Sequence, residues 1–193
     1  MCIRDSFYAA AIALLGVLLL GILQGILLAA LASILMLLAS VSRPHVAFLG
    51  RIPGTRSYSD LVRHPENEAL PGVIAFRPEA SLIYVNADAI LESVLNRLGT
   101  AGPSDIHLVV CDLSASPYVD LAGSHMLHEL HSQLAARGIA LRIVGAHGWA
   151  RDLLRADGIG EKVQGLGRVV TLDNLLEGEG SRRKSSRDTS QGE

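Results

Sequence analysis

The sequence has little cysteine, almost no net charge and no basic field. Its two cysteines, Cys2 and Cys111, lie far apart in a chain of 193 residues, which excludes a disulfide scaffold. Seventeen lysines and arginines against nineteen aspartates and glutamates leave a net charge of −2. That balance excludes the electrostatic footprint of a nucleic-acid binder, so no nucleic-acid partner is expected. Two catalytic signatures are also missing. The loop Gly145-Ala-His147-Gly-Trp149 lacks the Lys-Ser/Thr of a phosphate-binding loop, and His128-Glu-Leu-His131 is not the zinc-binding His-Glu-x-x-His pattern.

One stretch lacks charge altogether. From Phe7 to Ala39 no residue is ionisable except Tyr8, and only Gly16, Gly21, Gln24, Gly25 and Ser33 fall outside the apolar set. This run carries much of the chain's mean hydropathy of +0.34. Without it the apolar share falls from 49% to about 42%, ordinary for a soluble domain. The run far exceeds the roughly 7–15 apolar residues of a signal-peptide core, so a cleaved leader is the minor reading. A complete multi-span carrier is excluded, because a single region supplies the ~20 apolar residues that each span needs.

As one straight helix the run would be about 50 Å long, against a hydrocarbon core of about 30 Å. Gly21, Gln24 and Gly25 mark the natural break, since glycine weakens a helix and an amide is poorly placed in lipid. The expectation is two short helices, about Phe7–Leu20 and Gln24–Ala39, with one tilted helix as the alternative. Gly21 and Gly25, with Ala29, Ala32 and Ser33, are small residues that would let helices approach closely. Arg43, Arg51, Arg56 and Arg63 follow the run and favour a cytoplasmic location for what comes after it, consistent with an unpaired Cys111.

Residues 1–6 read as an artefactual or truncated start and 7–39 as the transmembrane segment. Residues 40–72 read as a proline-rich linker, with a short first strand at His45–Leu49. From residue 73 apolar runs alternate with amphipathic stretches. A hairpin is expected from Val73–Phe76 and Leu82–Val85, then a helix at Ala87–Leu98 and a buried strand at Ile106–Cys111. A helix at Asp120–Arg137, a strand at Ile139–Val144 and a helix at Ala150–Ala156 follow. Val169–Val170 and Asp173–Leu176 read as a last strand and helix. Helices between strands imply crossovers and a mostly parallel sheet. Residues 178–193 read as a disordered tail. Its Arg182-Arg183-Lys184 cluster is read as solvated, with contact to anionic lipid as the alternative.

The string Cys111-Asp-Leu-Ser-Ala-Ser-Pro-Tyr-Val-Asp-Leu-Ala-Gly-Ser124, at a strand end and opening a helix, resembles the central loop of STAS domains. Those domains are shared by sulfate transporters and anti-sigma-factor antagonists. The apolar Gly25–Leu38, then Arg43-Pro-His-Val-Ala-Phe-Leu-Gly-Arg51, Gly54-Thr55, Tyr58 and Pro65, resemble the end of a SulP (SLC26-like) anion permease and its linker. Tyr84-Val-Asn-Ala87 fits the family's strand-to-helix junction. The resemblance implies an α/β fold, a STAS-type mixed sheet flanked by helices over residues 73–177, preceded by an all-α transmembrane segment.

By the same resemblance the chain is the C-terminal piece of a secondary inorganic-anion transporter of sulfate type. Its cytosolic domain would serve regulation, assembly or protein interaction rather than catalysis. The implied partners are the lipid bilayer, the rest of the permease transport domain, a second copy of the chain and a cytosolic protein. The implied location is the inner or plasma membrane, with the C-terminal domain cytoplasmic. A membrane-tethered signalling protein of anti-sigma-antagonist type is the alternative. Against it, the phosphorylated serine of the soluble family's Asp-Ser-Ser-Gly pattern has no counterpart in Asp120-Leu121-Ala122-Gly123. A nucleotide-binding domain is a third and weaker reading.

The candidate regulatory loop comprises Asp112, Ser114, Ser116, Tyr118, Asp120, Gly123 and Ser124. The plain reading of Asp120 is an N-cap, its side-chain oxygen accepting from a free backbone N–H. No catalytic residue, cofactor or metal is expected. His125, His128 and His131 step by three, so the outer pair diverges by about 120° around the helix, and a solvated face is the default. Cys111 reads as a small core residue.

Overall fold

The computed structural model describes residues 21–100, 106–163, 166, 167 and 170–178, together with 7, 8, 10, 11 and 14. The chain divides into two compact units, Met1–Arg43 and Pro44–Glu193. Residues 1–6 and 179–193 lie outside the described residues, as do most of the helix expected at Phe7–Leu20 and Val169 of the last strand.

In the first unit, helix α1 spans Ile22–Ser42. It starts directly after Gly21, whose φ of 95° lies in the region that an L side chain avoids. The helix has a mean hydropathy of 2.5, and it is long and apolar enough to cross a membrane. Gly25 is its one buried residue, so its leucines and isoleucines face outward. That is the inverse of a soluble helix with one apolar stripe.

The second unit is built on a five-stranded sheet of order β2-β1-β3-β4-β5. Its strands are β1 (Val46–Arg51), β2 (Tyr58–Asp60), β3 (Val73–Pro78), β4 (Leu108–Asp112) and β5 (Ala140–Val144). β1 runs antiparallel to both β2 and β3, whereas β3, β4 and β5 are mutually parallel. Helix α2 (Ala87–Thr100) connects β3 to β4, and α3 (Leu121–Ala135) connects β4 to β5, as parallel neighbours require. Helices α4 (Gly148–Ala156) and α5 (Ile159–Lys162) follow β5. Residues 172–178 form a last helical stretch.

Alternation along the strands divides the core between the two faces. Val46, Ile74, Phe76, Val109, Cys111, Leu141 and Ile143 point to one face. There they meet Ile90, Val94 and Leu98 of α2, Leu127, Leu130 and Leu134 of α3, and Leu154 of α4. The spacing of three or four in each helical set puts every member on one side of its helix. Ala47, Leu49, Ala75, Leu108, Val110 and Val144 point to the other face, which carries a thinner cover of Leu70, Leu172, Leu175 and Leu176. β4 is buried along its whole length, as a central parallel strand must be.

Two expectations need correction. The 73–85 hairpin does not form. β3 has β1 on one edge and β4 on the other, so no edge is left to pair with Leu82–Val85. That segment instead makes a single bridge, Leu82 to Val119, and then turns. Ile83 N–H donates to Asn86 Oδ1 at 3.1 Å, and Asn86 N–H to the Ile83 carbonyl at 2.9 Å. The linker, in turn, is more structured than its prolines suggest. It holds all of β1 and β2, and β1 extends to Arg51, two residues past the expected strand.

Candidate functional site

The candidate residues gather where β3 and β4 end and α3 begins. Asp112 is the last residue of β4 and Arg77 the next-to-last of β3. Strand alternation puts both on the thinly covered face. Arg77 donates through Nε (2.9 Å) and Nη2 (2.6 Å) to Asp112 Oδ2. Asp112 Oδ1 accepts the Ser114 N–H at 2.9 Å, so both carboxylate oxygens are satisfied at a residue only 4% exposed. After β5, Gly145 takes a φ of 69° and passes so close that a Cβ would lie 2.7 Å from Asp112 Oδ1. Only glycine fits that turn.

The loop from Leu113 to Asp120 is fastened at several points. Ser116 is fully buried, and its hydroxyl donates to the carbonyls of Ala80 (2.8 Å) and Pro78 (3.1 Å). Leu82 N–H donates to the Tyr118 carbonyl and Asp120 N–H to the Leu82 carbonyl. Asp120 caps α3: Oδ1 accepts the Gly123 N–H at 2.8 Å, while Oδ2 accepts the Tyr84 N–H at 2.9 Å. One carboxylate thus joins the helix start to the 82–86 turn. Gly123 lies against that turn, since a Cβ on it would sit 2.7 Å from the Leu82 carbonyl oxygen.

Ser124 is buried, one turn into α3. Its hydroxyl donates to Asp157 Oδ2 at 2.6 Å, and His128 Nε2 lies 3.1 Å from the same oxygen. The Ser124 bond holds the Asp157 carboxyl below the ordinary carboxylate range. Burial opposes this, and the imidazoles of His128 and His125 reinforce it. Among the candidates only Ser114, Tyr118 and Asp120 reach solvent to any extent. Burial, with Asp112 beside it, pushes the Cys111 thiol up, away from nucleophilic use.

Asp112 and Ser114 also line an open cleft of about 370 Å³ with Arg56, Tyr58, Arg77 and Asp173. The Tyr58 hydroxyl donates to Asp173 Oδ1 at 3.2 Å, and Arg56 pairs with Glu177 at 2.9 Å. The candidates therefore divide. Asp112 and Ser114 border the cleft, Ser116, Gly123 and Ser124 are internal fastenings, and Tyr118 and Asp120 lie on the rim around α3. Sequence reasoning missed Arg77, Gly145, Asp157 and Asp173. For Arg77 a signal existed: extending the alternation of Val73–Phe76 by one residue puts it on the same face as Ala75.

A mixed sheet with parallel crossovers, and a capped helix that opens directly behind the loop of the central strand, defines a STAS-type α/β domain. The family model described as "STAS domain" matches residues 64–171. The high affinity sulfate transporter 2 of Stylosanthes hamata is 28% identical over 168 residues, 83% of this chain and 25% of that protein. The probable sulfate transporter Rv1739c of Mycobacterium tuberculosis is 30% identical over 144 residues, 75% of this chain and 26% of that one. Among solved structures, the murine solute carrier 26 family member A9 anion transporter aligns with a TM-score of 0.74 at 18% identity. The match covers 92% of this chain and 29% of that one, and it speaks for the fold. The chain belongs to the STAS-domain family, as a SulP/SLC26 protein carrying that domain. It spans about a quarter of the length of the curated relatives it matches. With those relatives and the apolar α1, it is a membrane protein.

Proposed function

We propose that this chain is the last membrane-spanning part and the cytosolic STAS domain of a SulP-family carrier of sulfate-like inorganic anions. The domain serves assembly and regulation of the carrier and performs no catalysis. In this reading residues 7–39 lie in the bilayer, and the domain reaches to residue 177 from a 40–72 connector that already contributes its first two strands. The partners are the rest of the transport domain, a second copy and a cytosolic protein.

One observation carries the reading. A 21-residue apolar helix and a STAS domain adjoin in one chain, and the similarity to sulfate transporters extends over 83% of that chain. The signalling alternative needs a loop serine open to a kinase. Ser116 and Ser124 are buried and their hydroxyls are engaged, which leaves the exposed Ser114, and it precedes Asp120 instead of following it as the phosphorylated serine of the soluble family does.

The test has two parts. The chain is expected to stay with the membrane pellet through high-salt and carbonate washing. Fused in frame behind the upstream portion of the M. tuberculosis relative, it is expected to restore sulfate uptake that the truncated relative has lost. Release by carbonate, or uptake no better than that of the truncation, would refute the proposal.

A further inference from the structure

Strand direction gives the domain two unlike ends. β1 runs antiparallel to β2 and β3, and β4 and β5 run parallel to β3. The last residues of β2, β3, β4 and β5 therefore lie at the end of the sheet where β1 begins. Among the described residues of the second unit, the large apolar side chains left exposed are Val62, Tyr84, Val85, Tyr118, Leu121 and Trp149. Val62 follows β2, Tyr84 and Val85 follow β3, Tyr118 and Leu121 follow β4, and Trp149 follows β5. All of them thus gather at one end of the sheet. Exposed apolar residues scattered singly are ordinary; a set confined to one end, with Tyr84 80% and Trp149 65% exposed, is not. The loops that carry them are fastened. Asp120 ties the start of α3 to the Tyr84 N–H, and His147 Nε2, 3.1 Å from the Ser114 carbonyl, joins the entry of α4 to the loop after β4.

The chain enters the domain at this same end. Ser42 closes α1 and Val46 opens β1, four Cα steps on, which is about 14 Å at full stretch. A bilayer that holds α1 is therefore within reach of these loops. The charges at the entry point are paired among themselves: His45 Nε2 lies 2.8 Å from Asp60 Oδ2, and Arg63 lies 3.8 Å from Asp60 and 3.6 Å from Glu79. What this end offers a partner is apolar and aromatic surface. Tyrosine and tryptophan, apolar in body with a polar tip, favour the lipid–water boundary. We propose that this end of the domain docks on the bilayer interface, with Tyr84, Tyr118, Leu121 and Trp149 entering the headgroup layer. The inference rests on α1 lying in the bilayer.

Trp149 is the single tryptophan of the chain, so its fluorescence reports this end alone. The full 193-residue chain is placed in phosphatidylcholine nanodiscs, plain or brominated near the head of the acyl chain, where bromine quenches an indole at contact range. Emission is expected to fall about twofold in the brominated discs, as for a side chain resting about 5–10 Å into the headgroup–acyl boundary. Tyr84→Ser with Leu121→Gln, both at exposed positions, is expected to lose most of that quenching with the melting temperature unchanged. Trp149→Phe with Ala69→Trp moves the reporter to an exposed position beside the Arg51–Glu68 bridge, at the opposite end of the sheet, and is expected to be unquenched. Equal quenching of the two reporters, or quenching indifferent to the Tyr84 and Leu121 changes, overturns the proposal. So does an unquenched Trp149 in a chain that stays with the membrane through carbonate, a result that leaves the reading of α1 intact and assigns the surface to a protein partner.

Discussion

The Arg77–Asp112 pair offers the sharpest test of the architecture, because it joins β3 to β4 at the rim of the cleft. Arg77→Met keeps most of the aliphatic stem and removes both donors to Asp112 Oδ2. What remains is a carboxylate 6% exposed, with the Ser114 N–H as its one remaining partner. Removing one member of a fully buried pair costs about 3–5 kcal/mol. Here the arginine side chain is 27% exposed, so water screens part of the interaction and about 2–3 kcal/mol is expected. For a domain of this size that corresponds to a fall of about 10 °C in Tm. Asp112→Asn keeps one acceptor oxygen for the Ser114 N–H but sets an amide NH₂ against the Arg77 donors, so its loss is about 1–3 kcal/mol. The double variant Arg77→Met with Asp112→Asn leaves no orphaned charge and is expected to be no less stable than Arg77→Met alone. Thermal and urea unfolding by circular dichroism measure all three. Effects of the single changes that add to within about 0.5 kcal/mol would show two independent residues and refute the reasoning.

Two further outcomes follow from the α3 region. The Asp157 carboxyl titrates lower in the folded chain than in the unfolded one, so its stabilising contribution is complete above about pH 4 and is lost as pH falls through the folded value. Urea titrations between pH 6 and pH 3 should therefore show a steeper acid loss for wild type than for Asp157→Asn; parallel curves would count against the Ser124 bond. Gly123→Ala gains up to about 1 kcal/mol of helix propensity, but its methyl collides with Leu82, a contact costing about 1–3 kcal/mol. A net loss of about 1 kcal/mol in the same assay is expected, and a stabilised variant would place the 82–86 turn further from α3.

Much of this fold could be read in the residues because local signals and burial agree. Ile90, Val94 and Leu98 name the buried side of α2, and Asp120 names the start of α3, since one side chain and a backbone N–H three residues on suffice for a cap. The errors arose where partners are distant in sequence. Leu82–Val85 has the composition of a strand, yet whether it pairs depends on β1, more than thirty residues earlier, having taken the edge of β3. The bond of Ser124 to Asp157 spans 33 residues and that of Arg77 to Asp112 spans 35. Nothing local marks either one, so the sequence shows the loop and its Asp120 cap but not these two long-range bonds.

The two faces of the sheet differ in how they are covered, and this bears on how the domain can be handled. The family pattern ends at Thr171, one residue short of Leu172, whose helix shields Ala47, Leu49, Ala75, Val110 and Val144. A fragment cut at the family boundary would thus carry an oily plane into water, at about 2.5 kcal/mol for each 100 Å² bared, and would clump with its own kind. The last two turns of helix therefore serve as a solubility element. An expression boundary is better placed beyond residue 178, with the tether from Arg56 to Glu177 left intact.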